Sequence, residues 1–564
     1  MSEMLNTDAC ARRNEPRASV NFALSVVLFL VGLAVFCTTV YGIVRSFSPL
    51  PYSDQWIGGL GLLRSIEDGN YRVWWSQHME HRIVLSRILF WLDAEWFGGR
   101  NVFLLLMAVV IQFGTLIVFY RQFRKGRALS SRLAVLGISL ALLFSWVQNE
   151  NFVWAFQSQF VAIYLFAIAA YSAFTIGMED GRHRLKGIGL ALGCALLATL
   201  SMGNGLMVFA LLSFQCVVAR RPWKELAVVV VVGGIVGALY LHGFVRPDVS
   251  TLSLTASEIA KAVPYFFLSF LGAPVYFLTL STVAAALSGF VVLAVMTVVS
   301  ISLFRKREVT PYRAFLITGY AFIVVTGLAA ASSRYGLGLG QAVVSRYGTP
   351  IFISWVCAVL LLLDVSKSGA RKNLVAGLSL ALAVWVGQYQ FNVTRVLPEL
   401  HERDLAVLAM KVGADRPERI KDIFFPQHRD FLLETAAYAA ATNFGPYASG
   451  WLHDAGLVVF NPAKLRPEVC RGSFDRTDSV GDGFESHGWA YSIKNPEDKL
   501  LVVLVGPANE TIGYGVTGGL RPDVQAATAA GMTSGWLGFP TASTKPVQAY
   551  AYVRGGFCPL APAH

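Results

Sequence analysis

The sequence is dominated by uninterrupted apolar runs near 20 residues, the length at which an α-helix crosses a lipid bilayer. A further apolar segment, 258–280, carries two prolines and is interpreted as an interfacial or re-entrant helix. After residue 391 the composition becomes that of an ordinary soluble domain. The pattern predicts a polytopic α-helical membrane protein of about eleven spans: 20–44, 101–120, 132–148, 159–178, 187–202, 204–219, 226–245, 281–304, 313–332, 350–365 and 373–391.

Composition excludes the main alternatives to a membrane protein. The chain is 55% hydrophobic and only 15% charged, which is too apolar for a soluble enzyme. A net charge of +12 does not indicate a nucleic-acid partner, because most of the excess lies in short loops between apolar runs. The first run is longer than the apolar core of a signal peptide, and no A-x-A cleavage site follows it.

The basic residues of these loops predict the orientation of the chain in the membrane. Cytoplasmic loops carry an excess of Lys and Arg, and alternate loops of this chain do so if 258–280 does not cross. We therefore expect a cytoplasmic N-terminus in a bacterial inner membrane, with loops 45–100, 149–158, 246–280 and 333–349 and everything after 391 in the periplasm. The clusters are Arg12, Arg13 and Arg17; Arg121, Arg124, Lys125 and Arg127; Arg182, Arg184 and Lys186; Arg220, Arg221 and Lys224; Arg305, Lys306 and Arg307; and Lys367, Arg371 and Lys372.

The domain organisation follows from the same patterns. The predicted parts are a cytoplasmic tail (1–19), a membrane domain (20–391) with a long first outer loop (45–100), a helical connector (392–456) and a β-rich periplasmic domain (457–564). Short β-rich stretches between Gly/Pro turns favour a β-sandwich in the last part. It is interpreted as a sugar-binding module or as a structural lid.

Two cysteines are a candidate disulfide pair. Cys470 and Cys558 are the only cysteines in the soluble part. If that part is extracytoplasmic, the pair would close a long loop in an oxidising compartment.

Two polar clusters stand in the first outer loop. In "SDQW", Asp54 is either a general base or metal ligand just above the membrane, or a helix N-cap. In "HMEHR", the residues His78, Glu80, His81 and Arg82 form a second cluster; on a helix, His78, His81 and Arg82 would share one face. That face is interpreted as a phosphate or sugar site, or as a solvated loop face.

Two further outer loops carry candidate binding residues. Loop 149–158 offers Glu150, Trp154 and Gln157, which suit sugar binding or an interfacial aromatic belt. Loop 333–349 repeats the tetrapeptide S-R-Y-G, so that Arg334 and Tyr335 are matched by Arg346 and Tyr347. Arginines in outer loops are unexpected, because Lys and Arg are usually concentrated in cytoplasmic loops. They are candidates for binding a phosphate or pyrophosphate, with snorkelling to lipid phosphates as the alternative.

The motifs "SDQW", "HMEHR", "WVQNENFVWAFQSQF" and "SRYG…SRYGTP" resemble those of uncharacterised bacterial relatives of the GT-C glycosyltransferases, over roughly residues 20–391. The resemblance implies a GT-C-like fold and a polyprenyl-phosphate-sugar donor. It also implies a cell-envelope glycan or lipid-linked acceptor, and a catalytic Asp or Glu in the first outer loop, which falls on Asp54. The acidic pair found in several members is absent, because Gln55 and Trp56 follow Asp54. Glu80 is therefore a rival base, and dependence on a divalent metal, Mg²⁺ or Mn²⁺, is left open.

The resemblance implies an inverting transfer in which Arg334 and Arg346, with Arg82 as a third candidate, stabilise the leaving phosphate. Three alternatives stand beside it: an O-antigen-type polysaccharide polymerase, a transporter or flippase of envelope precursors, and a non-enzymatic scaffold. The nearly charge-free interiors of the spans argue against transport.

Overall fold

A computed structural model describes part of the chain. It covers residues 19–179, 183–245, 255–395, 397–414, 416–421, 423, 428–481, 483–540 and 544–562. Residues 1–18 of the predicted cytoplasmic tail (1–19) lie outside these ranges. So do four members of the basic clusters: Arg12, Arg13, Arg17 and Arg182.

Long helices make up most of the chain up to residue 395. The α-helices are α1 Phe22–Arg45, α2 Gly61–Glu67, α3 Val84–Phe97, α4 Val102–Phe123, α5 Leu129–Leu143, α6 Glu150–Val153, α7 Ser158–Glu179, α8 Arg184–Ser201, α9 Leu206–Val218, α10 Trp223–Leu241, α11 Ala256–Leu271, α12 Ala273–Thr279, α13 Thr282–Arg305, α14 Pro311–Arg334, α15 Gly348–Val365 and α16 Gly369–Gly387. A π-helix spans Trp56–Leu60, and 3-10 turns span Tyr71–Trp74, Trp146–Gln148, Ala155–Gln157, Gly203–Gly205, Tyr335–Leu337, Leu339–Val343, Ser345–Tyr347 and Gln388–Thr394.

The remainder combines short helices with strands. The helices are α17 Pro398–Val412, α18 Pro417–Ile420, α19 Arg429–Ala441, α20 Trp451–Asp454 and α21 Pro522–Ala527, with 3-10 turns at Gly445–Ala448 and Pro462–Lys464. The strands are β1 Cys470–Val480, β2 Gly483–Ser492, β3 Leu501–Val505, β4 Thr511–Gly519, β5 Gly535–Pro540, β6 Gln548–Val553, β7 Gly556–Pro559 and β8 Ala561–Pro562.

The helices confirm the polytopic fold. Within the described ranges, ten helices are long and apolar enough to cross a membrane, or eleven if the bent pair α11 and α12 counts as one span. That pair bends by 82° at Gly272 and occupies the segment predicted to be interfacial or re-entrant. The predicted run 204–219 forms α9, which has only 13 helical residues. The protein is therefore a multi-pass membrane protein.

The chain divides into two compact units that are not continuous in sequence. The first, the helical unit, comprises Met1–Arg45, Trp75–Ser86 and Leu105–Arg395. The second, the composite unit, comprises Ser46–Trp74, Arg87–Leu104 and Val396–His564. The predicted first outer loop is thus shared: most of it belongs to the composite unit, and Trp75–Ser86 belongs to the helical unit.

Small residues allow close contact between helices of the helical unit. A Cβ added to Gly32 of α1 would lie 2.2 Å from the carbonyl oxygen of Gly137 in α5. Small residues are favoured at such contacts in membranes, because helix association there depends on close packing. The central helix α14 packs against α7, α9, α11 and α15, so these five helices determine which loops meet at its two ends.

The strands of the composite unit form one sheet. Among the described residues, eight strands are hydrogen-bonded in the order β7-β6-β3-β4-β5-β2-β1-β8. The predicted C-terminal β domain is confirmed, and its strands join one barrel-like sheet where a β-sandwich would have two. Sequence alternation specifies which faces are buried but does not specify whether the strands join one sheet or two.

The sheet curls on itself and buries both faces. Although β1 and β7 are far apart in the strand order, β1 contacts β6 and β7, and a disulfide joins Cys470 of β1 to Cys558 of β7. Val502 and Leu504 of β3 face the cluster that contains this disulfide. The alternate residues of β3 pack instead against helix α17, in a cluster that includes Leu501, Val503, Val505, Leu405 and Leu408.

Candidate functional site

A cavity of about 740 Å³ lies within the helical unit, where several helices end. It is bordered by the C-terminal ends of α10 and α14, the linker between α8 and α9, and the residue before α15. Its polar lining includes Glu80, His81, Tyr164, Asn204, Tyr240, Arg334, Tyr335 and Tyr347. Five of the predicted site residues thus come together here: Glu80, His81, Arg334, Tyr335 and Tyr347.

The segment that carries Glu80 and His81 is a tight turn. The backbone N–H of His78 donates to the carbonyl of His81 over 2.7 Å, and the reverse bond is 2.9 Å long. Met79 takes the left-handed conformation, with φ of 47°. The condition for a shared helical face is therefore not met, because so short a stretch carries no periodicity that separates a turn from a helix. The turn directs Glu80 and His81 to the cavity, whereas the His78 ring packs on Phe156 at 5.2 Å.

Arg82 holds this turn against the end of α10. Its guanidinium donates to the carbonyls of Tyr240, His242 and Trp75, at 2.9, 2.7 and 2.5 Å. Its backbone N–H donates to the Tyr240 hydroxyl over 2.8 Å. The last carbonyls of a helix lack hydrogen-bond partners within the helix. A cation at this point donates hydrogen bonds to them and is stabilised by the negative end of the helix dipole. With these donors engaged, Arg82 is a positioning residue of the cavity.

His81 is a buried, neutral imidazole. The backbone N–H of Gly203 donates to its Nδ1 over 3.3 Å, which puts the ring proton on Nε2. Burial lowers the pKa of His81 to about 4, and the nearby Glu80 carboxylate offsets part of that effect. At neutral pH the side chain therefore offers the cavity a neutral N–H donor.

Glu80 and Arg334 form an ion pair in the lining of the cavity. One guanidinium nitrogen of Arg334 contacts Oε1 of Glu80. The other carboxylate oxygen, Oε2, is buried and has no hydrogen-bond partner among the described residues. The site therefore pairs a fixed cation with a carboxylate oxygen that is available to a ligand hydroxyl or water.

The α8–α9 linker contributes cavity residues that were not among the predicted site residues. Asn204 lies between two glycines, donates to Thr326 over 3.4 Å and hydrogen-bonds to the Tyr164 hydroxyl. Its Oδ1 has no partner within the described part of the chain. The sequence feature that could have indicated these residues is the polar tripeptide "GNG", because it lies between two apolar helices that are short for a membrane span. The same segment brings Gly203 against His81.

The second S-R-Y-G copy serves a different purpose from the first. Ser345 donates to the Val147 carbonyl over 2.8 Å, and Asn151 donates to the Arg346 carbonyl over 2.9 Å. The Arg346 guanidinium donates to Gln341 over 3.3 Å, and Arg346 is not among the residues that line the cavity. The amides of loop 149–158 thus hold the start of α15, so that Tyr347 reaches the cavity.

Three predicted sugar-binding residues lie in that loop and outside the cavity lining. Trp154 is almost fully buried and stacks on Phe156 at 5.9 Å. Gln157 is buried, and its Oε1 has no partner within the described ranges, as is also true of Glu150 Oε2. Trp154 and Phe156 therefore support the His78 turn.

Asp54 belongs to the composite unit. It lies in a turn before the π-helix Trp56–Leu60, and its carbonyl accepts from Gly58 over 2.8 Å. The adjacent Gln55 donates to Asn101 over 2.5 Å, and the backbone N–H of Asn101 donates to Asp93 over 3.4 Å. Burial raises the pKa of Asp93 to about 6. These hydrogen bonds connect the two segments of the first outer loop that belong to this unit, Ser46–Trp74 and Arg87–Leu104.

The metal prediction has little support in the arrangement of side chains. Within the described ranges, no three His, Cys, Asp or Glu side chains are grouped so that they could hold a metal ion. At the cavity a cation would find the Glu80 carboxylate and the Asn204 amide oxygen, which is a poor donor set for Mg²⁺ or Mn²⁺. These two oxygen donors do not by themselves fit a protein-held metal.

Comparisons with known proteins find little. No family model matches the sequence, and no curated protein matches it. A solved structure with some similarity is the archaeal oligosaccharyltransferase AglB from Archaeoglobus fulgidus, in complex with an inhibitory peptide and a dolichol-phosphate. The TM-score is 0.37 at 14% sequence identity, and the match covers 72% of this chain but only 59% of the length of that protein.

Proposed function

We propose that this protein is a membrane glycosyltransferase that moves a sugar from a polyprenyl-phosphate donor to a cell-envelope glycan or lipid acceptor. The observation that carries the proposal is the convergence of Arg334, Glu80 and neutral His81 on one cavity at the ends of membrane-length helices. A cation, a carboxylate and a neutral imidazole thereby border one cavity whose lining also includes many apolar side chains.

The lining of the cavity suits a phosphate attached to a prenyl chain. An arginine is the preferred partner of a phosphate, because its planar fork donates two parallel hydrogen bonds. The His81 N–H and the tyrosine hydroxyls add neutral donors. The apolar side chains of the lining suit an isoprenoid: Phe160, Met202, Leu206, Met207, Leu241 and Phe244.

The proposed reaction is a single displacement. An acceptor hydroxyl oxygen attacks the anomeric carbon, and the bond from that carbon to the phosphate oxygen breaks. The electron pair leaves with the prenyl phosphate, where Arg334 stabilises the growing charge. The hydroxyl proton passes to a carboxylate. Glu80 is the carboxylate in the cavity lining, and Asp54 is the one that the resemblance to GT-C enzymes implies.

The proposed orientation has a cytoplasmic N-terminus and a periplasmic composite unit, in a bacterial inner membrane. Arg127, Arg313 and Asp364, which belong to or adjoin loops predicted to be cytoplasmic, contact one another. Arg313 and Arg334 lie near opposite ends of α14. The cavity and the basic loops therefore belong to opposite ends of this helix, as the charge pattern requires.

The test is transfer by the purified full-length protein in nanodiscs. The probes are radiolabelled undecaprenyl-phosphate hexoses and pentoses, with a lipid and glycan extract of the host envelope as acceptor. The base is identified by comparing Glu80→Gln with Asp54→Asn. Loss of the base should lower the rate about 10²- to 10⁴-fold. Glu95→Gln and Asp68→Asn, at exposed positions, are the matched controls.

The products separate this function from its alternatives. A single added sugar supports the proposal, whereas a ladder of repeat units identifies a polymerase. Absence of any glycosidic product across the donor panel, with donor moved intact between leaflets, contradicts the proposal and identifies a flippase.

A further inference from the structure

A second cavity lies at the other end of α14 and α15. It measures about 520 Å³ and is bordered by the end of α4, the start of α14 and the end of α15. Helix α14 has 24 residues, so its ends are about 36 Å apart at a rise of about 1.5 Å per residue. This cavity is thus distinct from the one around Arg334, and the proposed transferase chemistry makes no use of it.

Two arginines share one carboxylate here: Arg127 of the α4–α5 loop and Arg313 of α14. Arg127 contacts one carboxylate oxygen of Asp364, and Arg313 donates to the other over 2.6 Å. Only 8% of the Asp364 side chain is exposed. The Arg127 guanidinium also lies 5.2 Å from the ring centre of Phe123. The ion pairs and the ring contact fix both guanidiniums in place, so the lining does not depend on free side-chain rotation.

The lining carries an excess of positive charge. Its cationic side chains are Lys125, Arg127, Arg313, Lys367 and Lys372, against the carboxylate of Asp364. Five positive charges less one negative charge leave +4 among the lining residues. Glu308, which is not among the lining residues, comes within 3.7 Å of Arg313 and offsets this charge only in part.

We propose that this cavity binds a phosphate group. A cluster of oriented cations is suited to phosphate, because each Arg presents several donors and each Lys a mobile charge. Phe123, Pro311 and Tyr312 give the lining an apolar side. A basic pocket between membrane helices with such a side fits the headgroup of an anionic phospholipid. Free phosphate from solution is the other source of the same chemistry.

The preference of membrane proteins for basic cytoplasmic loops does not explain this arrangement. That preference requires Lys and Arg to be present in the loops. It does not require two guanidiniums to converge on one buried carboxylate, or the cations of two loops and two helices to border a common cavity.

The experiment measures lipid and phosphate binding by the purified full-length protein. Native mass spectrometry counts phosphatidylglycerol retained from nanodiscs of phosphatidylcholine and phosphatidylglycerol, and a parallel titration uses inorganic phosphate. Lys125→Gln with Lys367→Gln removes two exposed charges of the lining and leaves the Arg127–Asp364–Arg313 pairing intact. Arg305→Gln with Lys306→Gln removes two exposed charges that are not among the lining residues.

The lining variant should bind phosphatidylglycerol roughly thirtyfold more weakly than wild type, because it lacks two cations and each cation near a headgroup contributes on the order of 1 kcal/mol. The control variant should stay within about twofold. Retained lipid that phosphate does not displace identifies a headgroup site, and saturable phosphate binding without lipid identifies a soluble ligand. Equal binding by the lining variant and wild type, at equal thermal stability, contradicts the proposal, and so does binding of neither probe. No outcome depends on transferase activity.

Discussion

Arg334 and Glu80 form an ion pair although 254 residues separate them in the chain. Each side chain remains 24% exposed, so the pair is accessible from the cavity. An arginine held in this way needs little reorganisation to accept a phosphate, which is the condition for electrostatic stabilisation of a leaving group. This pair is the centre of the proposed site.

Replacement of Arg334 should affect catalysis more than substrate affinity. Arg334→Ala is expected to lower kcat about 10²- to 10³-fold, which is the usual effect of removing one preorganised donor from a developing anion. Arg334→Lys keeps the charge but loses the planar fork, so an intermediate loss is expected. The measurement is steady-state transfer with a radiolabelled undecaprenyl-phosphate sugar. Arg45→Ala, at an exposed position on α1, should leave the rate unchanged, and a full rate in Arg334→Ala would exclude Arg334 from the reaction.

A side chain at Gly203 is predicted to push its neighbours aside by a few tenths of an ångström. An added Cβ would lie 3.0 Å from the Glu80 carbonyl, 3.2 Å from His81 Nδ1 and 3.3 Å from the Tyr240 hydroxyl. Gly203→Ala should therefore displace the turn that carries Glu80 and His81. We expect transfer to fall about tenfold or more, with a loss of stability of about 1–3 kcal/mol.

The neighbouring helix provides a matched control for that substitution. Gly193 of α8 has no atom within 4 Å of an added Cβ, so Gly193→Ala should leave transfer unchanged and stabilise the helix slightly. Both variants are compared by transfer rate and thermal unfolding in the same detergent. Equal activity in the two variants would show that the Gly203 contact has no part in the site.

His81 should make stability depend on pH in a defined direction. Its pKa is about 4 in the folded protein and 6.5 ordinarily, so between these values the unfolded chain binds more protons. The His81 contribution is therefore complete above pH 6.5 and is lost as the pH falls to about 4, by up to about 3 kcal/mol. In His81→Asn this loss should disappear. Denaturant titrations at pH 7 and pH 4.5, followed by tryptophan fluorescence, give the difference.

An exposed histidine is the control for the pH experiment. His242 is exposed, and only its backbone carbonyl contacts Arg82, so His242→Asn should follow the wild-type pH dependence. If the stability of His81→Asn shows the same pH dependence as wild type, the imidazole of His81 is not buried in its neutral form.

The disulfide should contribute strongly to the stability of the composite unit. Cys470 and Cys558 are 88 positions apart. Closing a loop of that size lowers the entropy of the unfolded chain, which raises the free energy of unfolding by about 4–5 kcal/mol. The variant with both cysteines changed to serine should unfold at a lower temperature than wild type, and reduction should do the same. Alkylation after denaturation should label two more thiols with reductant than without it.

Cys37 supplies the control for thiol counting. It is exposed and unpaired, so Cys37→Ser should remove one label under both conditions and leave the unfolding temperature unchanged. An identical thiol count with and without reductant would contradict the disulfide.

The helical part of the fold was predictable because the bilayer limits what an apolar run can form. A spanning segment must satisfy its own backbone hydrogen bonds, so hydropathy alone located α1, α4 and α13 to within a few residues. The short α8–α9 pair around Gly203 was also visible. The single curled sheet was not, because pairing between distant strands such as β2 and β5 depends on long-range contacts that local alternation does not specify.

The candidate site was predictable in its members but not in its geometry. Glu80 and Arg334 stood out as charges on a predicted outer side, yet no local pattern links loop 75–86 to the end of α14. Arg82 and Arg346 looked equivalent to Arg334 in sequence. In the structure, backbone carbonyls surround the Arg82 guanidinium and Gln341 binds that of Arg346, contacts that only tertiary packing determines.

The composite unit imposes an order on biosynthesis. Its first two segments, Ser46–Trp74 and Arg87–Leu104, are translated long before the third begins at Val396. Roughly 290 residues therefore emerge in between, which takes about half a minute at about 10 residues per second. During that interval Trp56 and Leu60 lack the partners Ala406 and Leu432 that bury them in the mature protein. The early segments are thus natural clients for chaperones at the membrane until the ribosome has delivered the rest of their core.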